Sequence, residues 1–187
     1  MKVMLLNGSP HPAGCVFTAL SEIGRALSQN GVDFQMFQLG NGPVRGCIAC
    51  RHCADGNGCV FKDPLYDSFI SAMDGCDGIV IGSPVYYAGP NGSLCAFLAR
   101  VFFSAGRVLN GKPAACAVNC RRGGASAAFD RLNKYFTILQ MPVIASQYWN
   151  STHGQTPEET RQDLEGMQTM RLLGTNMAVM LKSLAAA

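Results

Sequence analysis

Apolar runs of strand length alternate with segments of helical periodicity along this 187-residue chain. Continuous apolar runs predict buried strands at residues 3–6, 78–82, 114–118 and 143–145, and alternating residues 32–36 predict a half-exposed strand. Each return to a parallel strand needs a crossover helix, so consecutive strand–helix units form one parallel sheet covered on both faces. The sequence therefore predicts an α/β three-layer sandwich with a five-stranded parallel sheet.

The order of these strands follows from their polarity. The alternating second strand suits an edge, whereas the other strands are apolar throughout and suit interior positions. The order 2-1-3-4-5, that of the flavodoxin-like fold, satisfies this pattern and places a ligand beyond the carboxyl ends of strands one and three. We expect a single domain over residues 1–187 with a Cys-rich loop at about 45–60. One long final helix is expected to begin at the capping box of Thr156 and Glu159.

The loop after the first strand, residues 7–14, is rich in glycine and hydroxyl residues. A buried strand followed by such a loop and a helix N-terminus commonly holds a phosphate, because backbone amides and the helix dipole present positive charge. The loop lacks both the dinucleotide fingerprint G-x-G-x-x-G and the Walker A ending Gly-Lys-Ser/Thr. Ser9, His11 and Thr18 supply side-chain donors, which suits a single phosphate monoester. An ordinary strand–helix turn is the alternative.

Two further loops are expected at the same sheet edge, at residues 83–92 and 119–124. The first carries two tyrosines and the second two arginines and two glycines, which together suit a planar, phosphorylated, electron-poor ring such as FMN. Plain interface aromatics and a solvated arginine are the alternatives for these side chains. The candidate cofactor-binding residues are Ser9, His11, Cys15, Val16, Phe17, Thr18, Pro84, Val85, Tyr86, Tyr87, Gly89, Asn119, Cys120, Arg121, Arg122, Gly123 and Gly124.

Three segments together resemble the NADPH-dependent FMN reductase family, and more narrowly its multimeric flavodoxin and iron–sulfur flavoprotein branch. They are Asn-Gly-Ser-Pro at 7–10, Cys-Ile-Ala-Cys at 47–50 and Gly-Ser-Pro-Val-Tyr-Tyr at 82–87. The resemblance implies FMN as cofactor, electron transfer from NAD(P)H, and a homodimer or homotetramer.

The same resemblance implies that Ser9, His11 and Thr18 contact the FMN phosphate and that residues 84–89 lie along the ring. The chain departs from the commoner family pattern at His11 and Pro12, where Arg or Lys is frequent. Phosphate binding would then depend more on the helix dipole and on hydroxyl groups.

Four of the nine cysteines, Cys47, Cys50, Cys53 and Cys59, form a C-x2-C-x2-C-x5-C pattern. Four thiols in so short a loop can converge at small entropic cost, and ferredoxins use similar runs to hold a 4Fe-4S cluster. Zinc is a second interpretation, although structural zinc sites usually combine two separated cysteine pairs. Free or redox-active thiols are the third.

Composition excludes some partners and favours others. The net charge of +3, with scattered Lys and Arg, does not indicate nucleic acid binding or a separate 2′-phosphate site. No apolar run is long enough to span a membrane, and many cysteines without a secretory signal suggest the cytoplasm. Only 14% of residues are charged, which hints at subunit contacts.

The segment 148–154 is interpreted as a flap over the ligand or as an anchor for the last helix.

The primary hypothesis is an FMN-dependent oxidoreductase that passes electrons from NAD(P)H to a small acceptor such as a quinone, an azo compound or a flavin. The second is an iron–sulfur flavoprotein that relays single electrons between FMN and a ferredoxin-like partner. The third is a nucleotide-sensing binding module with a zinc-stabilised loop. In the first hypothesis the cofactor carries the chemistry, so no side-chain nucleophile is predicted.

Overall fold

The computed structural model describes residues 1–186. The strands are β1 (Lys2–Asn7), β2 (Asp33–Gln38), β3 (Gly78–Tyr86), β4 (Gly89–Pro90), β5 (Ala114–Cys120) and β6 (Ser151–His153). The helices are α1 (Cys15–Gln29), α2 (Pro64–Asp74), α3 (Gly92–Ser104), α4 (Gly106–Leu109), α5 (Ala125–Ile138), α6 (Pro157–Gln162) and α7 (Leu164–Ala185). Among these helices none is both long and apolar enough to cross a bilayer.

A parallel sheet in the order β2-β1-β3-β5-β6 forms the centre of the fold. Strand β4 is a two-residue addition that pairs antiparallel with the end of β3 in a tight hairpin. When this hairpin strand is left out of the numbering, the observed order is the predicted 2-1-3-4-5. The predicted fold class is therefore confirmed.

Alternate strand residues point to opposite faces of the sheet and supply two apolar cores. One face packs Val3, Leu5 and Val80 against α1 and α7. The other packs Met4, Ile79 and residues of α2, α3 and α5, including a T-shaped pair of Phe69 and Phe97 rings 5.1 Å apart. This burial on both faces explains why the interior strands carry uninterrupted apolar runs.

The predicted fifth strand at 143–145 is wrong in extent, because the chain leaves the sheet there. Val143 makes a single parallel bridge to Ala114, the first residue of β5. Residues 145–150 then loop outward, and the chain rejoins the sheet as β6, which pairs with Val118–Cys120. The loop is closed by the Ser146 hydroxyl, which donates to Asn150 Oδ1 at 2.6 Å. The fifth strand position is therefore filled by two short pieces.

The predicted single long final helix is also wrong, because Asp163 divides it into α6 and α7. This residue has φ −72° and ψ 82°, outside the helical region. Its carboxylate accepts hydrogen bonds from the Gly166 N–H at 3.0 Å and the His153 N–H at 2.7 Å, which caps α7 and ties it to β6. The predicted cap at the start of α6 is confirmed, since Thr156 Oγ1 accepts from the Glu159 N–H at 3.2 Å.

A buried carboxylate joins α1 to α7. Glu22 is only 6% exposed and accepts from Arg171 at 2.7 Å, while its other oxygen pairs with Arg25. Burial alone would raise the pKa of Glu22, but the hydrogen bonds and charges of Arg25 and Arg171 outweigh it and lower the pKa. The ionised form is therefore the one that stabilises the folded chain.

We predict that the interaction of Glu22 with Arg25 and Arg171 makes the free energy of unfolding depend on pH. The folded-state pKa lies below the ordinary value of 4.5, so the contribution is present above that pH and is lost as pH falls through the folded pKa. Glu22→Gln should lower the free energy of unfolding at pH 7 by about 1–3 kcal/mol and flatten its dependence between about pH 5 and 3. Urea melts across this range measure both effects. The exposed Glu165→Gln is the control, and equal slopes for wild type and Glu22→Gln would contradict the assignment.

Candidate functional site

Loops from β1, β3 and β5 open into one cavity of about 240 Å³ at the carboxyl edge of the sheet. The predicted site residues that line it are Ser9, His11, Cys15, Val16, Pro84, Val85, Tyr86, Asn119, Cys120 and Arg121. Gly154 and Gln155 complete the wall. Gly154 belongs to the segment 148–154 that was interpreted as a flap or an anchor, whereas Gln155 was not predicted, because its position depends on the split fifth strand. The structure therefore brings together ten predicted residues from three distant segments.

The first loop is held by a polar network based on the end of β1. Asn7 Oδ1 accepts from the Ser9 N–H at 3.0 Å, and Asn7 Nδ2 donates to Gln38 Oε1 at 2.6 Å. Gln38 Nε2 in turn donates to the Ser9 carbonyl at 2.7 Å. Asn7 and Gln38 are not among the predicted site residues, although a polar residue at the last position of a buried strand is a usable signal.

A second set of hydrogen bonds ties the first loop to α3. Asn91 Nδ2 donates to the Gly8 carbonyl at 2.7 Å, and the Asn91 N–H donates to Ser83 Oγ at 3.0 Å. A Cβ at Gly8 would lie 2.5 Å from Leu94 Cδ2 and 2.7 Å from the Gly82 carbonyl. Only glycine allows the loop to approach β3 so closely.

Helices α1 and α5 both start at this edge without a side-chain cap. Their N-cap residues are Gly14 and Gly124, whereas α2, α3, α6 and α7 are each capped by a side chain. An uncapped N-terminus leaves backbone N–H groups free and carries the positive end of the helix dipole. Because Cys15 and Val16 of the first α1 turn line the cavity, this positive end faces it.

The turn between β3 and β4 is unusual in its backbone. Tyr87 and Ala88 both have positive φ, +50° and +59°, where glycine or asparagine is normal. Tyr87 is fully exposed and does not line the cavity, whereas Tyr86 does. Gly124 supports the turn from the next loop, since a Cβ there would lie 2.8 Å from Ala88 Cα.

Residues of the third loop have two roles: some hold neighbouring strands together, and others line the cavity. The Asn119 amide donates to the Thr152 carbonyl at 3.2 Å and to Thr152 Oγ1 at 3.1 Å, so it attaches β6 to β5. Burial raises the pKa of the Cys120 thiol, which favours its neutral form. Arg121 is exposed and lines the cavity with its charge. Of the remaining predicted residues in these two loops, Gly89, Arg122, Gly123 and Gly124 do not line it.

Phe17 and Thr18 lie elsewhere, on a second cavity of about 460 Å³ between α1, α6 and α7. Thr18 Oγ1 donates to the Gly14 carbonyl at 3.2 Å, within its own helix. The second cavity brings Arg25, near the start of the chain, together with Arg161 and Arg171 near its end. Scattered arginines in the sequence therefore become neighbours in the fold.

The side chains around Trp149 do not line the cavity at the sheet edge. Tyr148, Trp149 and His153 line a separate pocket of about 80 Å³ beside the start of α7. Gly154, the residue after β6, does line the cavity at the sheet edge, and its N–H donates to the Cys120 carbonyl at 3.1 Å. The His153 N–H donates to the Asp163 carboxylate, so the segment anchors the start of α7, which is one of its two predicted roles.

The four cysteines of the C-x2-C-x2-C-x5-C pattern line one small cavity of about 20 Å³. They lie on a segment without helix or strand, residues 39–63, and all are free thiols. Within residues 1–186, however, no three His, Cys, Asp or Glu side chains converge in an arrangement that could hold a metal ion. Four thiols are a suitable donor set for a thiolate-bound metal centre, but in the present conformation of the loop they do not converge to form one.

The doubly wound sheet and the cavity beside β1 and β3 define a flavodoxin-like protein with a ligand site at its switch point. Residues 1–156 match the sequence profile of the NADPH-dependent FMN reductases. The chain belongs to this family, and the predicted resemblance is confirmed.

Three similar proteins extend the comparison. An iron–sulfur flavoprotein of Methanocaldococcus jannaschii is 28% identical over 192 residues, which cover 97% of this chain and 98% of that protein. FerB of Paracoccus denitrificans, a flavoenzyme NAD(P)H:(acceptor) oxidoreductase, superposes with a TM-score of 0.68 at 15% identity, covering 97% of each chain. A flavodoxin from the domain Archaea superposes with a TM-score of 0.64 at 16% identity, covering 97% of this chain and 99% of the other. At these identities the two structures show a shared fold.

We predict that the turn beside the cavity is held at a cost in stability. Replacing Tyr87 and Ala88 by Asn and Gly should raise the free energy of unfolding by about 1 kcal/mol, because these residues adopt positive φ with less strain. Urea melts of the double variant measure the gain. Tyr87→Phe, which keeps the side-chain size and the same backbone demand, should leave stability unchanged. A double variant no more stable than wild type would show that the turn is unstrained.

Proposed function

We propose that this FMN-dependent oxidoreductase binds FMN in the 240 Å³ cavity and passes electrons from NAD(P)H to a small acceptor such as a quinone, an azo compound or a flavin. Its family membership establishes the class of enzyme. The observation that carries the proposal is the convergence of ten predicted residues on one cavity at the switch point of the sheet.

The phosphate end is assigned to the first loop. Ser9 and His11 line the cavity beside the uncapped start of α1, where backbone N–H groups and the helix dipole favour an anion. Ser9 Oγ accepts from the His11 N–H at 3.1 Å, which leaves its own O–H free to donate to a phosphate oxygen. The polar network around Asn7 holds this loop in position before any ligand arrives.

The ring end is assigned to the second and third loops. Pro84, Val85 and Tyr86 provide an apolar and aromatic wall, and Arg121 places a positive charge on the opposite loop. Bound FMN would supply the redox chemistry, accepting a hydride from NAD(P)H and releasing two electrons to the acceptor. The protein would orient the ring, shield part of it from water and stabilise negative charge. Tyr87, Gly89, Arg122, Gly123 and Gly124 stand outside the wall and are proposed as rim positions.

A homodimer or homotetramer in the cytoplasm completes the proposal. The fully exposed Tyr87 and half-exposed Tyr86 at the mouth of the cavity suit contact with a second subunit or a substrate ring. Nine free cysteines suit a reducing compartment.

Removal of the Ser9 hydroxyl tests the placement of the phosphate. Ser9→Ala should weaken FMN binding by about 10-fold or more, the effect of losing one hydrogen bond to a charged group. Fluorescence quenching during FMN titration of the flavin-free protein measures the dissociation constant. Thr18→Ala is the matched control, because Thr18 faces the second cavity and should retain wild-type affinity. If Thr18→Ala loses affinity and Ser9→Ala does not, the phosphate lies elsewhere.

A second function, single-electron relay to a ferredoxin-like partner through a 4Fe-4S cluster, is favoured by one specific observation. All four cysteines of the loop line the same cavity. The other residues of the C-x2-C-x2-C-x5-C pattern that line it, Ile48 and Arg51, are not soft metal ligands. The relative from M. jannaschii is named an iron–sulfur flavoprotein, which supports this assignment. Loading would require the loop to rearrange around the cluster.

Metal analysis distinguishes this second function from simple FMN reduction. Protein purified without oxygen should contain about four iron and four sulfide per chain if the loop holds a 4Fe-4S cluster. Replacing both Cys50 and Cys53 by Ser should abolish the iron and leave FMN content unchanged, because the cysteine loop is separate from the FMN cavity. Replacement of Cys76 and Cys95, which lie outside the loop, serves as the control. Absence of iron, or iron that survives in the Cys50/Cys53 variant, would contradict the cluster.

A further inference from the structure

Arg100 on α3 is a charged side chain in an apolar core. It is 2% exposed, and it is among the largest fully buried side chains of the described chain. Burying a guanidinium is costly unless charges and hydrogen bonds compensate for the lost hydration. The groups that surround it therefore indicate what the residue is for.

The partners of Arg100 lie at both ends of the cysteine loop. Nη1 pairs with Asp63 Oδ2 at 2.7 Å and donates to the Arg45 carbonyl at 3.4 Å, and Nη2 donates to the Phe61 carbonyl at 3.0 Å. Arg45 precedes Cys47 by two residues, and Phe61 follows Cys59 by two. One guanidinium thus joins the chain entering the loop to the chain leaving it.

The ion pair with Asp63 holds the guanidinium in its charged form beside the loop. Burial opposes ionisation of Asp63, but the Tyr66 N–H and the Arg100 guanidinium lower the pKa of its carboxyl. The Tyr66 ring also lies against the guanidinium, with the ring centre 4.9 Å from Cζ. The position of the charge is therefore fixed from several sides.

One donor of Arg100 is left without a partner. Among residues 1–186, Arg100 Nε is the one buried side-chain nitrogen or oxygen that lacks a hydrogen bond. The Cys59 thiol lies next to the guanidinium, and both residues line the cavity that the other three cysteines share. An unsatisfied buried donor destabilises the fold, and a sulfur acceptor carrying negative charge would satisfy it.

We propose that Arg100 is the positioning residue of the four-cysteine site: it holds the two ends of the loop together and donates its Nε–H to the Cys59 sulfur when the loop holds a thiolate-bound metal centre. The inference rests on the proposed cluster function. Hydrogen bonds to ligand sulfurs and nearby positive charge stabilise the reduced, more negative state of such a centre. Arg100 should therefore raise the reduction potential and the metal occupancy of the loop.

The test compares variants of the full chain reconstituted without oxygen with ferric iron, sulfide and a thiol reductant. Arg100→Gln should bind less than half the iron of wild type, and the remaining centre should have a lower midpoint potential. Arg100→Lys should keep a potential nearer to wild type but still lose iron, because a single ammonium cannot bridge both loop ends. Arg131→Gln, which removes an arginine on α5 that lies over the Tyr135 ring and does not line the cysteine cavity, is the control. FMN content and thermal melts show that each variant is folded.

Asp63→Asn provides an independent test if Arg100→Gln fails to fold. Asparagine can still cap α2, while removal of the negative charge leaves the Arg100 charge uncompensated. The midpoint potential should then rise above wild type, opposite to the effect of Arg100→Gln. A merely structural role for Arg100 would lower iron content in both variants without shifts of opposite sign.

Two results would overturn the inference, and they are distinguishable. Wild-type iron content and potential in folded Arg100→Gln would reject the role of Arg100 while leaving the cluster proposal intact. Wild-type protein that binds no iron would reject the cluster and the role of Arg100 together. Neither result affects the FMN site, because FMN binding is measured separately on flavin-free protein.

Discussion

The hydrogen bonds of Asn7 are the constraint on which the candidate FMN site depends. This residue ends β1 and orders the following loop through the Ser9 N–H and Gln38. Asn91 performs the same task from α3 by holding the Gly8 carbonyl. With these bonds in place the loop is formed before a ligand binds, so little further ordering is required of it on binding.

The protein separates two kinds of site by element and by chemistry. The cavity at the sheet edge is built from rigid strand ends and helix starts, which suits recognition of a phosphate and a planar ring. The cysteine segment has no helix or strand. Arg100 ties its ends to the body of the protein, and between them the Cys53 thiol donates to the Phe103 carbonyl at 3.7 Å. Because the segment is not part of the sheet, it can rearrange around a metal centre without disturbing the strands.

The periodicity of apolar residues was sufficient to predict the fold class, and the capping motif was sufficient to predict the helix start at Thr156. Both depend on local sequence patterns. The broken fifth strand and the break at Asp163 depend on tertiary contacts. Asn150 and Asp163 are ordinary polar residues in the sequence, and only their partners Ser146, Gly166 and His153 show why the chain turns there. Thr18 was placed with the phosphate loop, whereas the helix turns its side chain toward α6 and α7.

The sequence by itself determined the parallel sheet, its strand order, the family and most of the cavity wall, because each strand, helix and loop motif is a local pattern and the parallel sheet brings the loops to one edge. Tertiary structure alone decided the grouping of Arg25, Arg161 and Arg171, and the burial of Arg100 across the ends of the cysteine loop. The sequence around a single arginine in an apolar helix does not predict which groups the arginine will bind. Groups far apart in the sequence, such as Arg100 and the Arg45 and Phe61 carbonyls, acquire a shared role only when packing brings them within hydrogen-bond distance.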